Sequence, residues 1–216
     1  MNLTVEMKQE LLDILRMKKN LGIEYIEEIN LNRLVTSENA LPNDWNSLEE
    51  YVSNCSLCGL SKSKISSNFG SGNNKSKIYF LGVTSTTNDD KEFDILNNIV
   101  KNVLHLNIND IYMTNIIKCT VKSHKSDLAK EIDKCIHFLY KQIEISEPEV
   151  IITFGNAFNY LLNSDENIFD VSGNIFIYNN IKVIPLLEIG FISKNPSFKE
   201  KMFTDLQKIK KLLDEK

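Results

Sequence analysis

The chain has 216 residues, enough for one domain with an appendage and for an apolar core that needs no disulfide bonds. Apolar residues make up 42% and charged residues 25% of the chain, a composition that excludes disorder over its whole length. The net charge of −4 does not indicate a nucleic-acid binder, and no apolar run approaches the roughly 20 residues of a membrane-spanning helix. Because the first residues also lack the apolar core of a signal peptide, we expect a cytoplasmic protein.

The N-terminal residues 1–44 are expected to form an acidic helical extension and a linker. Apolar side chains recur at a helical spacing over residues 3–19, and turn-forming residues dominate residues 36–45. Residues 1–50 carry a net charge of −5, so the rest of the chain sums to +1. We therefore divide the chain into this extension and a main domain at residues 45–216.

Four compact apolar runs rich in β-branched and aromatic residues lie at residues 78–81, 111–117, 150–154 and 181–187. Because these runs mostly do not alternate with polar residues, they predict strands that are buried on both faces, as in a parallel sheet. Helical patterns separate and follow the runs, at residues 91–104, 125–146, 155–163 and 197–214. This alternation predicts an α/β fold, a three-layer α/β/α domain around a mainly parallel four-stranded sheet. A further strand at residues 174–178 is expected to form a hairpin across Asn179 and Asn180.

Four cysteines, Cys55, Cys58, Cys119 and Cys135, stand out in a chain that we expect in a reducing compartment. The first two form a Cys-x-x-Cys pair, whereas the third follows a predicted strand and the fourth lies in a predicted helix. Four thiolates suit a zinc ion or an iron–sulfur cluster, and the wide spacing of the last two favours the cluster. The alternative is that Cys119 and Cys135 are small buried apolar residues.

Several motifs in a fixed order along the chain together resemble one protein family. The sequence CSLCGL at residues 55–60 precedes a glycine-containing stretch and the first apolar run. TNIIKC at residues 114–119 ends the second run, and the fourth cysteine lies in the helical pattern of residues 131–143. Together with PEVIITFGNA at residues 148–157, these motifs are similar to those of the family 4 iron–sulfur uracil-DNA glycosylases, over residues 45–216.

The resemblance implies DNA base-excision repair, by hydrolysis of the bond between uracil and deoxyribose in single- or double-stranded DNA. It implies a [4Fe-4S] cluster on the four cysteines, with zinc as the alternative metal, and we expect a monomer. It also implies that Asn115 reads the edge of the base, and that Gly82 lies in the floor of the base pocket. Phe191 stands where the superfamily presents an apolar wedge to DNA. The alternatives are that Asn115 only caps a strand end and that Phe191 only packs beneath its loop.

Two departures from the family pattern bear on activity. Family members carry Gly-Glu-Ala-Pro-Gly after the first strand, where this chain has Gly82 followed by Val-Thr-Ser-Thr. After the fourth strand they carry His-Pro-Ser or His-Pro-Ala, where this chain has Glu188, Ile189 and Gly190.

These departures change the candidate catalytic groups. Glu188 becomes the candidate in place of the histidine, able to position water or to stabilise a cationic sugar, unless it is an ordinary surface carboxylate. Phe93 is the candidate for the aromatic residue that stacks on the base. Three hypotheses remain open: a uracil glycosylase, a glycosylase with a changed base preference, and an inactive relative that binds DNA or a protein partner and keeps a structural cluster.

Overall fold

The computed structural model describes residues 41–84, 90–122 and 128–214. The helix predicted at residues 3–19 and nearly all of the predicted extension and linker lie outside these residues. No helix in the described part of the chain is long and apolar enough to cross a membrane.

The described residues form eight strands, which are β1 (Ser66–Ser67), β2 (Ser71–Gly72), β3 (Ile78–Gly82), β4 (Tyr112–Asn115), β5 (Cys119–Thr120), β6 (Val150–Phe154), β7 (Phe176–Tyr178) and β8 (Ile181–Leu186). Six of them make one sheet in the order β2-β4-β3-β6-β8-β7, and β1 pairs separately with β5. The strands β4, β3, β6 and β8 run parallel, which confirms the α/β class and the four predicted parallel strands. The sheet has six strands and not four, because β7, the strand predicted within residues 174–178, and β2, which was not predicted, add one antiparallel strand to each edge.

The strands β7 and β8 form the hairpin that was predicted across two asparagines. Asn179 has a φ of 48° and Asn180 a φ of 67°, the left-handed conformation that a two-residue turn of this kind requires. Tyr178 pairs with Ile181 immediately on either side of the turn. Asparagine tolerates this conformation better than most residues, so the turn forms without glycine.

Helices cover both faces of the sheet. The α-helices of the described residues are α1 (Trp45–Ser53), α2 (Asp90–Asn98), α3 (Ala129–Ser146), α4 (Ala157–Leu162), α5 (Ile168–Val171), α6 (Ile189–Lys194) and α7 (Lys199–Asp214). A π-helical turn at Ile99–Val103 extends α2, and short 3-10 turns lie at Gly59–Lys62, Ile108–Asp110 and Pro196–Phe198. The helix predicted at residues 155–163 begins later, because Gly155 forms a turn with a φ of 55°.

The two faces of the sheet bury separate apolar cores. Successive residues of a strand point to opposite faces, so a strand covered on both sides must be apolar throughout. Every residue of β6 is accordingly buried. Ile151 packs with Leu139 of α3 on one face, and Ile152 packs with Leu206 of α7 on the other. This is the three-layer arrangement that the unbroken apolar runs predict.

Candidate active site and thiol centre

A cavity of about 230 Å³ opens at the carboxyl ends of the parallel strands. Its lining includes Gly82 and Asn115, which end β3 and β4, as well as Phe154 and Glu188. Ligand crevices of parallel α/β sheets lie at this edge of the sheet. The cavity is smaller than the roughly 300 Å³ at which pockets for drug-sized ligands begin, so it suits one small ring system. The structure thus brings together three residues that the sequence singled out.

Asn115 lies directly beside Gly82, because the two residues are register partners in the pairing of β3 and β4. A Cβ atom on Gly82 would overlap Asn115 Oδ1, so the glycine leaves room for the amide. The N–H of Ile116 donates to the Gly82 carbonyl at 3.0 Å, which continues the ladder past the end of the strand. The backbone that carries the Asn115 side chain is therefore fixed at the cavity wall.

Glu188 reaches the cavity from the residue that precedes α6. A Cβ atom on Gly155 would lie 3.4 Å from Glu188 Oε2, so the carboxylate rests against the turn after β6. The N–H of Gly155 donates to the Leu186 carbonyl at 2.9 Å, which holds that turn against the end of β8. Glu188 occupies the N-cap position of α6 without a side-chain capping bond, and its exposed carboxylate lines the cavity.

Glu92 is a second carboxylate in the cavity lining, and the sequence motifs did not point to it. It lies near the start of α2, and a Cβ atom on Gly190 of α6 would overlap its Oε1 atom. The only sequence signal was an acidic residue ten positions after Gly82, downstream of the motif whose glutamate is missing. That spacing alone could not show that α2 returns to the ends of the strands.

The two candidate aromatic residues lie in different places. Phe93 lines the cavity and is 49% exposed, so its ring is available to stack on a ligand. Phe191 lies outside the cavity lining and packs against Phe169 and Phe198, with ring centroids 5.3 and 5.2 Å away. The structure therefore brings Phe93 to the site and places Phe191 in a neighbouring aromatic cluster.

The four cysteines form no disulfide bond and lie on three segments of the fold. Cys55 follows α1, Cys58 precedes the first 3-10 turn, Cys119 begins β5, and Cys135 lies within α3. The last two are buried and the first two half-buried. Cys55 packs against the same small apolar cluster that contains Cys135 and Phe138. Segments far apart in the sequence thus bring Cys55, Cys58, Cys119 and Cys135 to one region, which we call the thiol centre.

Burial raises the pKa values of the two buried thiols, Cys119 and Cys135. Burial raises the pKa of the Cys135 thiol to about 11. The Lys118 N–H, 3.3 Å from Cys135 Sγ, opposes this increase, whereas the nearby Cys119 and Cys58 add to it. Burial also raises the pKa of Cys119, and Cys58 and Cys55 add to that increase. Among the described residues, no three His, Cys, Asp or Glu side chains lie close enough together to hold a single metal ion.

Residues 67–209, most of the chain, match the model of the Uracil DNA glycosylase superfamily. The chain belongs to this superfamily. The match confirms the resemblance drawn from the sequence motifs.

Several relatives within the superfamily align with most of the chain. The chain is 28% identical to the type-4 uracil-DNA glycosylase of Saccharolobus solfataricus over 186 residues, which cover 78% of this chain and 86% of the relative. It is 25% identical to the type-4 enzyme of Archaeoglobus fulgidus over 182 residues, 76% of this chain and 91% of that protein. For the type-4 enzyme of Thermotoga maritima the identity is 26% over 178 residues, 77% and 93% of the two chains.

A buried hydrogen-bond network supports the strand that carries Asn115 in this superfamily member. Lys118, 2% exposed, donates through Nζ to Thr114 Oγ1 at 2.7 Å and to Gln142 Oε1. The Thr114 hydroxyl and the Gln142 amide donate in turn to the Phe69 carbonyl, at 2.8 and 2.9 Å. Burial lowers the pKa of Lys118 to about 7. The network joins β4, which forms part of the cavity wall, to α3, the helix that carries Cys135.

Proposed function

We propose that the chain is a DNA glycosylase of base-excision repair that hydrolyses the N-glycosidic bond of uracil in single- or double-stranded DNA. The observation that carries this proposal is the cavity in which Gly82, Asn115 and Glu188 meet at the strand ends of a superfamily member. In the proposed organisation, residues 45–216 are the glycosylase domain and residues 1–44 an acidic extension. The protein acts as a cytoplasmic monomer.

Asn115 carries the recognition step in this proposal. A glycosylase must flip its target nucleotide out of the duplex, at a cost of a few kcal/mol. The Asn115 amide offers both a donor and an acceptor to the edge of the flipped base, and the half-exposed ring of Phe93 offers a stacking surface. These contacts offset part of the flipping cost and hold the glycosidic bond in place for attack.

Glu188 carries the hydrolytic step. As the C1′–N1 bond breaks, its electron pair moves to the uracil ring and positive charge grows on the sugar. The carboxylate stabilises this sugar cation and orients a water molecule, whose oxygen bonds to C1′. The proton lost from the water replaces the sugar on the departing uracil. The Asn115 N–H stabilises the negative charge that develops on the ring during this step.

We further propose that Cys55, Cys58, Cys119 and Cys135 hold a [4Fe-4S] cluster, with zinc as the alternative metal. The donor set supports a bound metal, because the four thiols lie in one region. Burial raises the pKa values of Cys119 and Cys135, so the thiolate forms of these two residues need a nearby cation to be stable. A zinc ion needs every sulfur about 2.3 Å from one centre, whereas the larger inorganic core of a cluster accepts more widely spaced sulfurs. The bound cluster would cross-link α1, β5 and α3.

A second candidate function is that of a catalytically inactive relative, whose structural cluster maintains a fold that binds DNA or a protein partner. The observation that favours it is the chemistry of the cavity. Glu188 stands where the family motif has histidine, and Val83 where the motif has glutamate. A protein that only binds DNA would not need either catalytic group.

Release of free uracil from single- and double-stranded DNA tests the proposed activity, with protein whose metal content has been verified. We expect turnover by the wild type, and a loss of about a hundredfold in Asn115→Ala, because that change removes the donor aimed at the developing charge. Asn109→Ala, which alters an exposed asparagine outside the cavity, is the matched control. Failure of the folded, metal-loaded wild type to release uracil would contradict uracil as the substrate.

A further inference from the structure

Two walls of the cavity come from segments that lie far apart in the sequence. Thr114 and Asn115 end β4, whereas Asn68 and Ser71 belong to the segment that leads into β2. All four residues line the cavity. The Asn115 amide can meet the edge of a base well only if its place relative to the opposite wall is fixed, because hydrogen bonds weaken steeply as their geometry departs from the ideal. The contacts that join the two walls therefore bear on base recognition.

Lys118 is hydrogen-bonded to both walls, to one through its backbone and to the other through its side chain. Its carbonyl accepts from the Asn68 N–H at 2.7 Å, and its Nζ donates to Thr114 Oγ1 at 2.7 Å. Lys118 is not among the described residues that line the cavity. It lies behind the walls, where it contacts the residues that form them and leaves the cavity free for a ligand.

The Phe69 carbonyl is a second point at which the two walls are joined. It accepts hydrogen bonds from three side chains, those of Tyr112, Thr114 and Gln142. Because Gln142 Oε1 accepts from Lys118 Nζ, the lysine orients this amide so that its Nε2 faces the carbonyl. Lys118 Nζ also lies 5.8 Å from the centroid of the Phe69 ring, within the range of a cation–π contact. The lysine thus orders the residue between Asn68 and the rest of its wall.

A lysine is an unusual residue for this position. Lys118 is 2% exposed, and lysines are almost never fully buried. Transfer of an amine out of water costs free energy that its hydrogen bonds must offset, whereas a methionine would fill similar space without that cost. Both hydrogen bonds are available whether or not the amine is charged, since the neutral form keeps two N–H bonds. Packing alone therefore does not explain the lysine, whereas the need to fix one wall against the other does.

We propose that Lys118 is a positioning residue for base recognition, which holds Asn115 in a fixed place opposite Asn68 and Ser71. In that place the Asn115 amide meets the base in the geometry that lets its N–H stabilise the departing ring. The effect on rate rests on the proposed function, whereas the placement of the amide does not. Because Lys118 touches neither the base nor the sugar, its loss is expected to lower activity only through Asn115.

A double-mutant cycle with Asn115 tests the effect on rate. Release of uracil from a uracil-containing duplex is measured under single-turnover conditions with the metal-loaded full chain. We expect Lys118→Met to slow release by about tenfold, a change of about 1.4 kcal/mol in the barrier. In the Asn115→Ala background the same substitution is expected to change the rate by no more than about twofold, because no amide remains to be positioned. A lysine that only stabilised the fold would slow release equally in both backgrounds.

Further variants separate this role from stability. Gln142→Met removes the same buried hydrogen bond from the side of α3, and we expect it to slow release by at least about threefold. The double variant Lys118→Met/Gln142→Met leaves neither partner of that bond unpaired, so it is expected to melt close to the wild type while release stays slow. Lys122→Met changes an exposed lysine outside the cavity and is the matched control. Metal content and melting temperature are measured for every variant.

Crystal structures of the wild type and of Lys118→Met give a readout that does not depend on activity. We expect the Asn115 side chain to leave its wild-type position or to lose order in the variant, while β3 and β4 stay paired. An unmoved Asn115, equal slowing in the two backgrounds, or wild-type rates in both Lys118→Met and Gln142→Met would overturn the inference and leave the proposed function standing. A folded, metal-loaded wild type that releases no uracil contradicts the proposed function instead, and a displaced Asn115 in Lys118→Met then still supports the inference.

Discussion

Three glycines at the cavity each give room to one polar side chain. The pairs are Gly82 with Asn115, Gly155 with Glu188, and Gly190 with Glu92. At Gly155 the left-handed φ of 55° adds a backbone requirement to the steric one. At the other two positions the requirement is space alone, so even the smallest side chain would move the neighbouring polar group.

Gly82→Ala is expected to slow base release by about tenfold to hundredfold, because the added methyl group displaces the Asn115 amide. Single-turnover kinetics and the melting temperature are measured together. Gly59→Ala is the control, since a Cβ atom there would meet nothing closer than Glu131 Oε1 at 3.9 Å. Base release at the wild-type rate in Gly82→Ala would show that the amide is not held by this contact.

Most residues of the site could be predicted because they end apolar runs. Asn115 lies near the end of one such run and Glu188 directly follows another, and the ends of parallel strands converge by geometry alone. Glu92 could not be found in this way, because its place in the cavity depends on the packing of α2 against α6. The aromatic packing of Phe191 likewise depends on Phe169, which belongs to a different helix and is 22 residues away.

At the scale of elements, a buried carboxylate ties the C-terminal helix α7 to the rest of the domain. Asp205 is 2% exposed and accepts hydrogen bonds from the Ser172 hydroxyl at 2.8 Å and from Lys208 Nζ at 3.0 Å. Gly173, with a φ of 79°, leaves space for this carboxylate. The apolar side of α7 packs in the same core as α6, the helix that starts beside the cavity.

Asp205→Ala is expected to lower the free energy of unfolding by about 2–3 kcal/mol, because a buried hydroxyl loses its charged acceptor. Urea unfolding measures the change. Asp214→Ala, at an exposed position of the same helix, is expected to stay within about 0.5 kcal/mol of the wild type. A similarly small effect of Asp205→Ala would mean that α7 is held by its apolar contacts alone.

The elements that the sequence predicted are those with a strong apolar pattern, and the elements it missed include the two-residue strands and the short helices α5 and α6. The strand β2 consists of Ser71 and Gly72, which no hydrophobic pattern marks. It exists because these residues pair with Met113 and Tyr112 of β4. Such a strand is defined by its partner, so only the assembled sheet reveals it.

For the whole molecule, the thiol centre is the point at which distant parts of the chain meet. We expect anaerobically purified protein to contain iron and sulfide, and Cys135→Ala to lose both. Its melting temperature is expected to fall by at least about 5 °C, as a loss of about 2 kcal/mol implies for a chain of this size. Ser56→Ala, between the first two cysteines, is the control for local disturbance. Stoichiometric zinc without iron in the wild type would contradict the cluster.

The order of strands in the sheet also determines when the cavity can form. The central strand β3 pairs on one side with β4 and on the other with β6, and β6 pairs in turn with β8, which comes later in the chain. Each parallel pairing closes a long loop, which slows folding. The cavity walls come from residues as far apart as Asn68 and Ile189, so a chain emerging from the ribosome lacks a complete pocket until nearly all of it has been synthesised. Under the proposed function, base recognition is therefore among the last properties that the growing chain acquires.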